Sequence, residues 1–138
     1  MKQLFYILFI AVSLNATAQD ETTFIFSKMD IETQHVLWDD TPTMLMGFTA
    51  MMSASIDIPG PTLTYFEGDS VELKLRNMSQ GASHTIHLHG LDVDQQNDGV
   101  PHLSFEVGHN ETESYYFKAP HPGTYLYHCH VTSALHVQ

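Results

Sequence analysis

The sequence predicts an all-β domain, a sandwich or barrel with Greek-key connections, and three observations carry that expectation. Short runs in which apolar and polar residues alternate recur from Thr22 to the end of the chain, the period of half-buried strands. Clusters of turn residues stand between the runs, as at Pro59-Gly60-Pro61 and Glu67-Gly68-Asp69. No segment shows a long helical period with caps, and many short strands at this spacing bury their apolar faces against one another.

The chain opens with a predicted leader over residues 1–18. Lys2 supplies a short positive start, Leu4 to Leu14 is an apolar run, and Ala16-Thr17-Ala18 is a small-residue cleavage pattern. Roughly 11 apolar residues fall short of the about 18 to 20 that a bilayer-crossing helix needs, so no membrane span is expected. The protein is therefore read as exported, to a periplasm or the extracellular space. Residues 19–138 are enough for a single domain with one core.

Within that domain the strand candidates follow in order: Thr23 to Phe26, Gln34 to Trp38, and Thr62 to Phe66 between two turns. Val71, Leu73 and Leu75 then alternate with Glu72, Lys74 and Arg76, the clearest half-buried strand in the chain. Thr85 to His89, Glu113 to Lys118 and Gly123 to Val131 complete the set. Between them Leu91 to Leu103, with Asp92, Asp94, Asp98 and Gly99, reads as a loop that follows a histidine cluster directly. The chain stops at Gln138, where a last core strand is expected. The domain is accordingly read as truncated at its C-terminus, because loss of a terminal strand exposes a sheet edge.

Acidic residues outnumber basic ones by 16 to 5, giving a formal net charge of −11 with histidines neutral. Nucleic acid is therefore not an expected partner, since phosphate contacts need a basic face. The single cysteine cannot form an intramolecular disulfide, and a free thiol in an oxidising compartment is a hazard unless it is buried or bound to metal.

That cysteine stands between two histidines, in Tyr127-His128-Cys129-His130, and a second cluster lies upstream, His84-Thr85-Ile86-His87-Leu88-His89-Gly90. Successive side chains of an extended strand point to opposite faces. Parity therefore groups His87 with His89 and His128 with His130, and turns His84 and Cys129 the other way. One chain thus carries parts of two metal sites back to back. A lone thiolate with imidazoles is a donor set that copper accepts, whereas zinc and iron–sulfur sites that use sulfur recruit several cysteines.

These motifs resemble those of multicopper oxidases, the laccase-like enzymes built from cupredoxin domains. Gly60-Pro61-Thr62-Leu63, Glu67-Gly68-Asp69, Asp98-Gly99-Val100-Pro101 and Pro122-Gly123-Thr124-Tyr125-Leu126-Tyr127-His128 are similar to landmarks of the same family. The resemblance spans roughly Pro59 to His136. It implies a cupredoxin-like Greek-key fold, with His84, Cys129 and His136 as ligands of a type 1 copper. It further implies His87 at a type 2 copper, and His89, His128 and His130 at a type 3 pair.

In the family, electrons pass from a small reductant at the type 1 copper to the other coppers, where dioxygen is reduced to water. Asp98 matches a family acid beside that cluster, where a carboxylate relays protons; the competing reading is a turn aspartate before Gly99. Two departures stand out. The position where the family's second blue-copper histidine usually falls is Ala134, and the histidine is His136 instead. The usual axial methionine is also absent; the terminal Gln138 is an alternative axial donor, and a methionine beyond the chain's end is the preferred one.

The trinuclear cluster implied by the resemblance takes its histidines from two domains, and this chain offers two His-x-His pairs. A missing second cupredoxin domain or a neighbouring subunit of a homo-oligomer, a trimer among the options, would supply the rest. A copper nitrite reductase is one alternative, but it leaves His89 and His130 without a role. A non-enzymatic electron-transfer cupredoxin is another, and it leaves both pairs unexplained. His35, His102, His109 and His121 read as solvent-exposed histidines. Met44, Met46, Met51 and Met52 read as packing rather than as a thioether Cu(I) site. Asn77-Met78-Ser79 and Asn110-Glu111-Thr112 fit the short glycosylation pattern.

Overall fold

The computed structural model describes residues 17–36, 38–56 and 58–136. The leader lies outside them apart from Thr17 and Ala18, as do Gln138 and the side chain of His35. Two sheets make up the described fold. The larger has the order β2-β1-β3-β5, from β1 (Asp20–Val36), β2 (Pro42–Thr49), β3 (Ser70–Asn77) and β5 (Thr112–Lys118). The smaller pairs β4 (His87–His89) with β6 (Leu126–His128). β1 runs antiparallel to β2 and parallel to β3, and β3 antiparallel to β5. The all-β reading holds.

Alternation decides what each strand buries. On β3, Val71, Leu73, Leu75 and Asn77 are buried and the residues between them are half-buried, so one face looks into the core. Ile25 of β1 and Tyr115 of β5 join them. Ile86, from the segment leading into β4, and Leu88 of β4 itself complete the cluster together with Val107. Burial of side chains of this size contributes about 1.5–3 kcal/mol each. The core thus grips the inner residues of both sheets, and the outer residues of the β4–β6 pair are left free for other work.

Several strand boundaries differ from the sequence reading. Thr23–Phe26 and Gln34–Trp38 fall largely in one long strand, β1, whose register against β2 shifts between Asp30 and His35. Trp38 lies in the turn after it and is 96% exposed. β2 escaped notice because its apolar residues, Met44, Leu45 and Met46, are contiguous rather than alternating. Thr62–Phe66 shows the expected alternation of exposure, and Leu63 and Tyr65 pack on the core. It forms no strand ladder, however, and is instead anchored at its end by the Asp69 carboxylate, which accepts from the Phe66 amide at 2.8 Å. Thr85–His89 and Gly123–Val131 shorten to the β4 and β6 cores. A single helical turn, α1 (Ser133–His136), ends the described chain. Among the described residues no helix is long and apolar enough to cross a membrane.

Candidate metal centre

The β4–β6 pairing sets His87 directly opposite His128, and His89 opposite Leu126. Directly opposed residues share a face, so Leu88 and Tyr127 point to the core while the histidines point out of it. The His87 and His128 rings are 5.1 Å apart, and the His130 ring lies 5.3 Å from that of His87. His89 Nδ1 is 3.3 Å from His128 Nε2. One nitrogen each from His87, His89 and His128 falls within 4.8 Å of the others.

Hydrogen bonds orient two of these rings. His87 Nδ1 is 2.7 Å from the Asp98 carbonyl oxygen, and His128 Nδ1 is 2.9 Å from the Cys129 carbonyl. A carbonyl only accepts, so Nδ1 carries the proton in both rings and Nε2 keeps a lone pair for a metal. The Asp98 carboxylate lies 3.3 Å from the same His87 nitrogen, so Asp98 approaches the cluster through both its backbone and its side chain. The turn that allows this is tight. Gly99 has φ +72°, and a Cβ there would lie 2.0 Å from the Ile86 carbonyl oxygen.

Behind this face lies the second group, His84, Cys129 and His136, whose donor atoms are also within 4.8 Å of one another. Cys129 Sγ is 3.3 Å from His136 Nδ1, and the His84 and His136 rings are 4.8 Å apart. His84 is held by paired backbone hydrogen bonds with Val107 at 3.0 and 2.9 Å. Its Nε2 is buried without a hydrogen-bond partner. An orphaned buried nitrogen is costly unless something binds it, and the set of two imidazoles and a thiol gathered here accommodates a metal ion.

Burial, and then the neighbouring His136, press the His84 pKa down from 6.5 to about 4. Burial lowers His136 as well, against the opposing pull of Glu106. The Cys129 thiol is pushed up by burial, while donors from Thr85 and Val131 work the other way. Both imidazoles are thus offered neutral, ready to coordinate, and a metal would displace the thiol proton. Soft sulfur with two imidazoles suits copper.

Six of the seven histidine and cysteine positions singled out in the sequence therefore lie in one of two donor groups, and the seventh, His130, packs its ring against His87 at the edge of the outer one. The other histidines whose side chains are described do not. His102, His109 and His121 are exposed, and His109 Nδ1 is engaged by the Ser79 carbonyl at 2.8 Å. Met44, Met51 and Met52 are 60%, 62% and 60% exposed, so the packing expectation fails for these three. Asn77 cannot be a glycan acceptor, because it is wholly buried and its amide donates to the Ala82 and Val107 carbonyls at 2.7 and 2.8 Å.

Two further residues of the site were not foreseen. Thr85 lies between the groups, and buried Tyr115 accepts the Ile86 amide at 3.0 Å, steadying the segment that joins His84 to His87. The inward parity of Tyr115 on β5 was the available signal for the second. For Thr85 the signal was its place between the two histidines.

A family model described as multicopper oxidase matches residues 38–137. Copper resistance protein A of Escherichia coli is 42% identical over 74 residues, covering 53% of this chain but 12% of its own length. Among solved structures, the blue copper oxidase from Nitrosomonas europaea has a TM-score of 0.67 and 33% identity, over 84% of this chain and 35% of that one. The multicopper oxidase mgLAC has a TM-score of 0.68 and 29% identity, over 87% of this chain and 35% of that one. The chain spans a small part of the curated relative's length and about a third of each solved chain.

Proposed function

The chain belongs to the multicopper oxidase family, and from that premise we propose that it supplies the electron-entry copper of an oxidase together with half of the copper cluster that reduces dioxygen to water. The observation that carries this reading is the junction at Cys129. Its sulfur lies in one donor group, with His84 and His136, while of its chain neighbours His128 lies in the other, with His87 and His89, and the His130 ring packs 5.3 Å from that of His87. Bound copper would supply one-electron chemistry between Cu(I) and Cu(II), with a small reductant as the electron source.

The chain's own residues do the rest. His84, Cys129 and His136 would form the type 1 site, and the peptide bonds flanking Cys129 provide a short covalent route to His128 and His130. His87 would serve a type 2 copper, and His89, His128 and His130 a type 3 pair. The hydrogen bonds to the Asp98 and Cys129 carbonyls hold His87 and His128 with Nε2 available. Asp98, with its carboxylate against His87, would pass protons to reduced oxygen.

Completion of the cluster falls to another cupredoxin domain or to a second copy of the chain, in a homo-oligomer, and the protein would work after export. A nitrite reductase reading is weaker, since it needs neither His89 nor His130. The test is copper content with optical and paramagnetic spectra of the purified assembly, alongside oxygen uptake. A blue copper together with a coupled pair and oxygen consumption is expected. A blue copper alone, or turnover of nitrite without oxygen, would sink the oxidase reading.

A further inference from the structure

Two unlike surfaces, neither of them part of the donor groups, complement each other. The first is the outer face of the larger sheet, the side of β1, β3 and β5 turned away from the core. Phe24 pairs with Lys74, and Phe26 with Arg76, across β1 and β3, and paired residues share a face. The Phe24 and Phe26 rings stack at 6.3 Å, the Lys74 ammonium lies 5.4 Å from the Phe24 ring centre, and Phe24 is 47% exposed. Glu72, between them, is already satisfied by the Lys74 ammonium and the Tyr116 hydroxyl. The sequence holds 5 Lys and Arg against 16 Asp and Glu. Apart from Lys2, all of the basic residues stand at positions of this outer parity: Lys28, Lys74, Arg76 and Lys118. The basic charge of an acidic chain is thus gathered on one partly apolar sheet face.

The second surface is the turn that joins β1 to β2. β1 pairs with β3 only as far as Ser27, yet its pairing with β2 runs on to Val36 opposite Pro42. The two strands leave β3 behind as a ribbon of about 30 Å, at roughly 3.3 Å per residue. A two-stranded ribbon is marginally stable alone, so packing against a further surface would stabilise it. At its end stand Trp38, 96% exposed, and the exposed Asp39 and Asp40. The Asp39 carboxylate accepts the Thr41 amide at 3.1 Å and shapes the turn. Tryptophan is among the side chains that most often anchor interfaces.

We propose that this turn docks on the outer sheet face of a second copy of the chain, with the Trp38 indole against Phe24 and Phe26 and the Asp39 and Asp40 carboxylates toward Lys74 and Arg76. Charge selects the place. A copy of formal charge −11 repels an acidic tip over most of its surface, and attracts it at the face that carries the basic residues. Aromatic rings beside cations form a seat for an indole flanked by carboxylates. Tip and face are unlike patches, so the second copy's own tip is free to dock in turn. The contact needs no copper and stands apart from the oxidase reading, which it extends by naming how copies in a homo-oligomer meet.

Trp38 is the chain's single tryptophan, so its fluorescence reports on this turn alone. The metal-free chain is followed by sedimentation and by emission over a range of concentrations. Mass is expected to rise with concentration while Trp38 emission moves to shorter wavelength in step, and salt should weaken both. Trp38→Ser and Lys74→Glu should each weaken association about tenfold or more. Mixed together they should associate, since the first keeps its face and the second its tip, and the emission of the Lys74→Glu chain should shift. Phe24→Thr replaces Lys74→Glu should that variant lose the native circular dichroism. A native chain that stays monomeric with unshifted emission would overturn the proposal, whether a further domain covers the tip or nothing does. Association that leaves Trp38 emission unchanged, or that the face variants do not weaken, would overturn it as well.

Discussion

The sulfur of Cys129 lies 3.3 Å from Nδ1 of His136, seven positions further along the chain. The approach is made by a turn at Thr132, φ 44°, followed by the single helical turn of α1, in which the His136 amide donates to the Thr132 carbonyl at 3.3 Å. The longer spacing noted in the sequence is thus absorbed by one turn of helix, and the histidine still reaches the sulfur. Replacing Cys129 with Ser should abolish the intense visible absorption of the copper-loaded chain, because a hydroxyl is a poor soft donor. The fold should survive, at a cost of about 1–2 kcal/mol for the altered buried group. Copper titration followed optically, with circular dichroism as the control for folding, checks this. Retention of the native band in the serine variant would refute Cys129 as the copper ligand.

A second prediction concerns the turn beneath His87. Gly99 combines φ +72° with a Cβ position 2.0 Å from the Ile86 carbonyl oxygen, so any side chain must push backbone against backbone. Gly99→Ala should cost at least about 3 kcal/mol, combining the left-handed penalty with the steric clash. The same displacement would carry the Asp98 carbonyl away from His87 Nδ1. Chemical unfolding gives the stability. Copper binding to the outer group, measured with Cys129 already replaced by Ser, isolates the effect on the cluster. A variant with native midpoint and native affinity would show that the turn has no such constraint.

The donor groups were legible in the sequence because strand parity is local: His84 and Cys129 had to face away from His87 and His128 once both segments were extended. The strands themselves were less legible where tertiary pairing decides. Thr62–Phe66 has the pattern of a strand but no ladder, whereas β2 has a ladder but no pattern. Thr85 and Tyr115 could not be found by ligand chemistry, since neither is a donor of the expected type. Their roles depend on contacts across 44 and 29 residues of sequence. Met44, Met51 and Met52 misled because methionine is at home both in cores and on surfaces.

A third prediction follows from Tyr115, which is buried and receives the Ile86 amide at 3.0 Å. Tyr115→Phe fills the same volume but leaves that amide without an acceptor. Loss of a buried hydrogen-bond partner costs about 1–3 kcal/mol, and the loss falls on the segment between His84 and His87. Stability by urea unfolding should drop by that amount. Copper affinity of both groups should weaken together, because one segment feeds both. An effect on stability alone, with both affinities native, would limit Tyr115 to the core.

The last prediction is a pH dependence of the metal-free chain. Burial lowers the folded pKa of His84 to about 4 from 6.5, so between those values the unfolded chain binds the proton and the folded chain does not. Stability rises with pH wherever the unfolded state holds more protons. His84 therefore contributes nothing adverse above about 6.5, and its burial destabilises the fold progressively as pH falls toward about 4. The full effect is roughly 3 kcal/mol, from the energy equivalent of each pKa unit. Unfolding midpoints measured across this range should fall more steeply for the native chain than for His84→Leu, which cannot titrate at that position. Copper held by the neutral His84 ring would occupy the one lone pair that a second proton would take, so the loaded chain should hold its midpoint to lower pH than the metal-free one. Parallel profiles for the native and leucine chains would rule out His84 as the source of the slope, and identical profiles with and without copper would place the metal elsewhere.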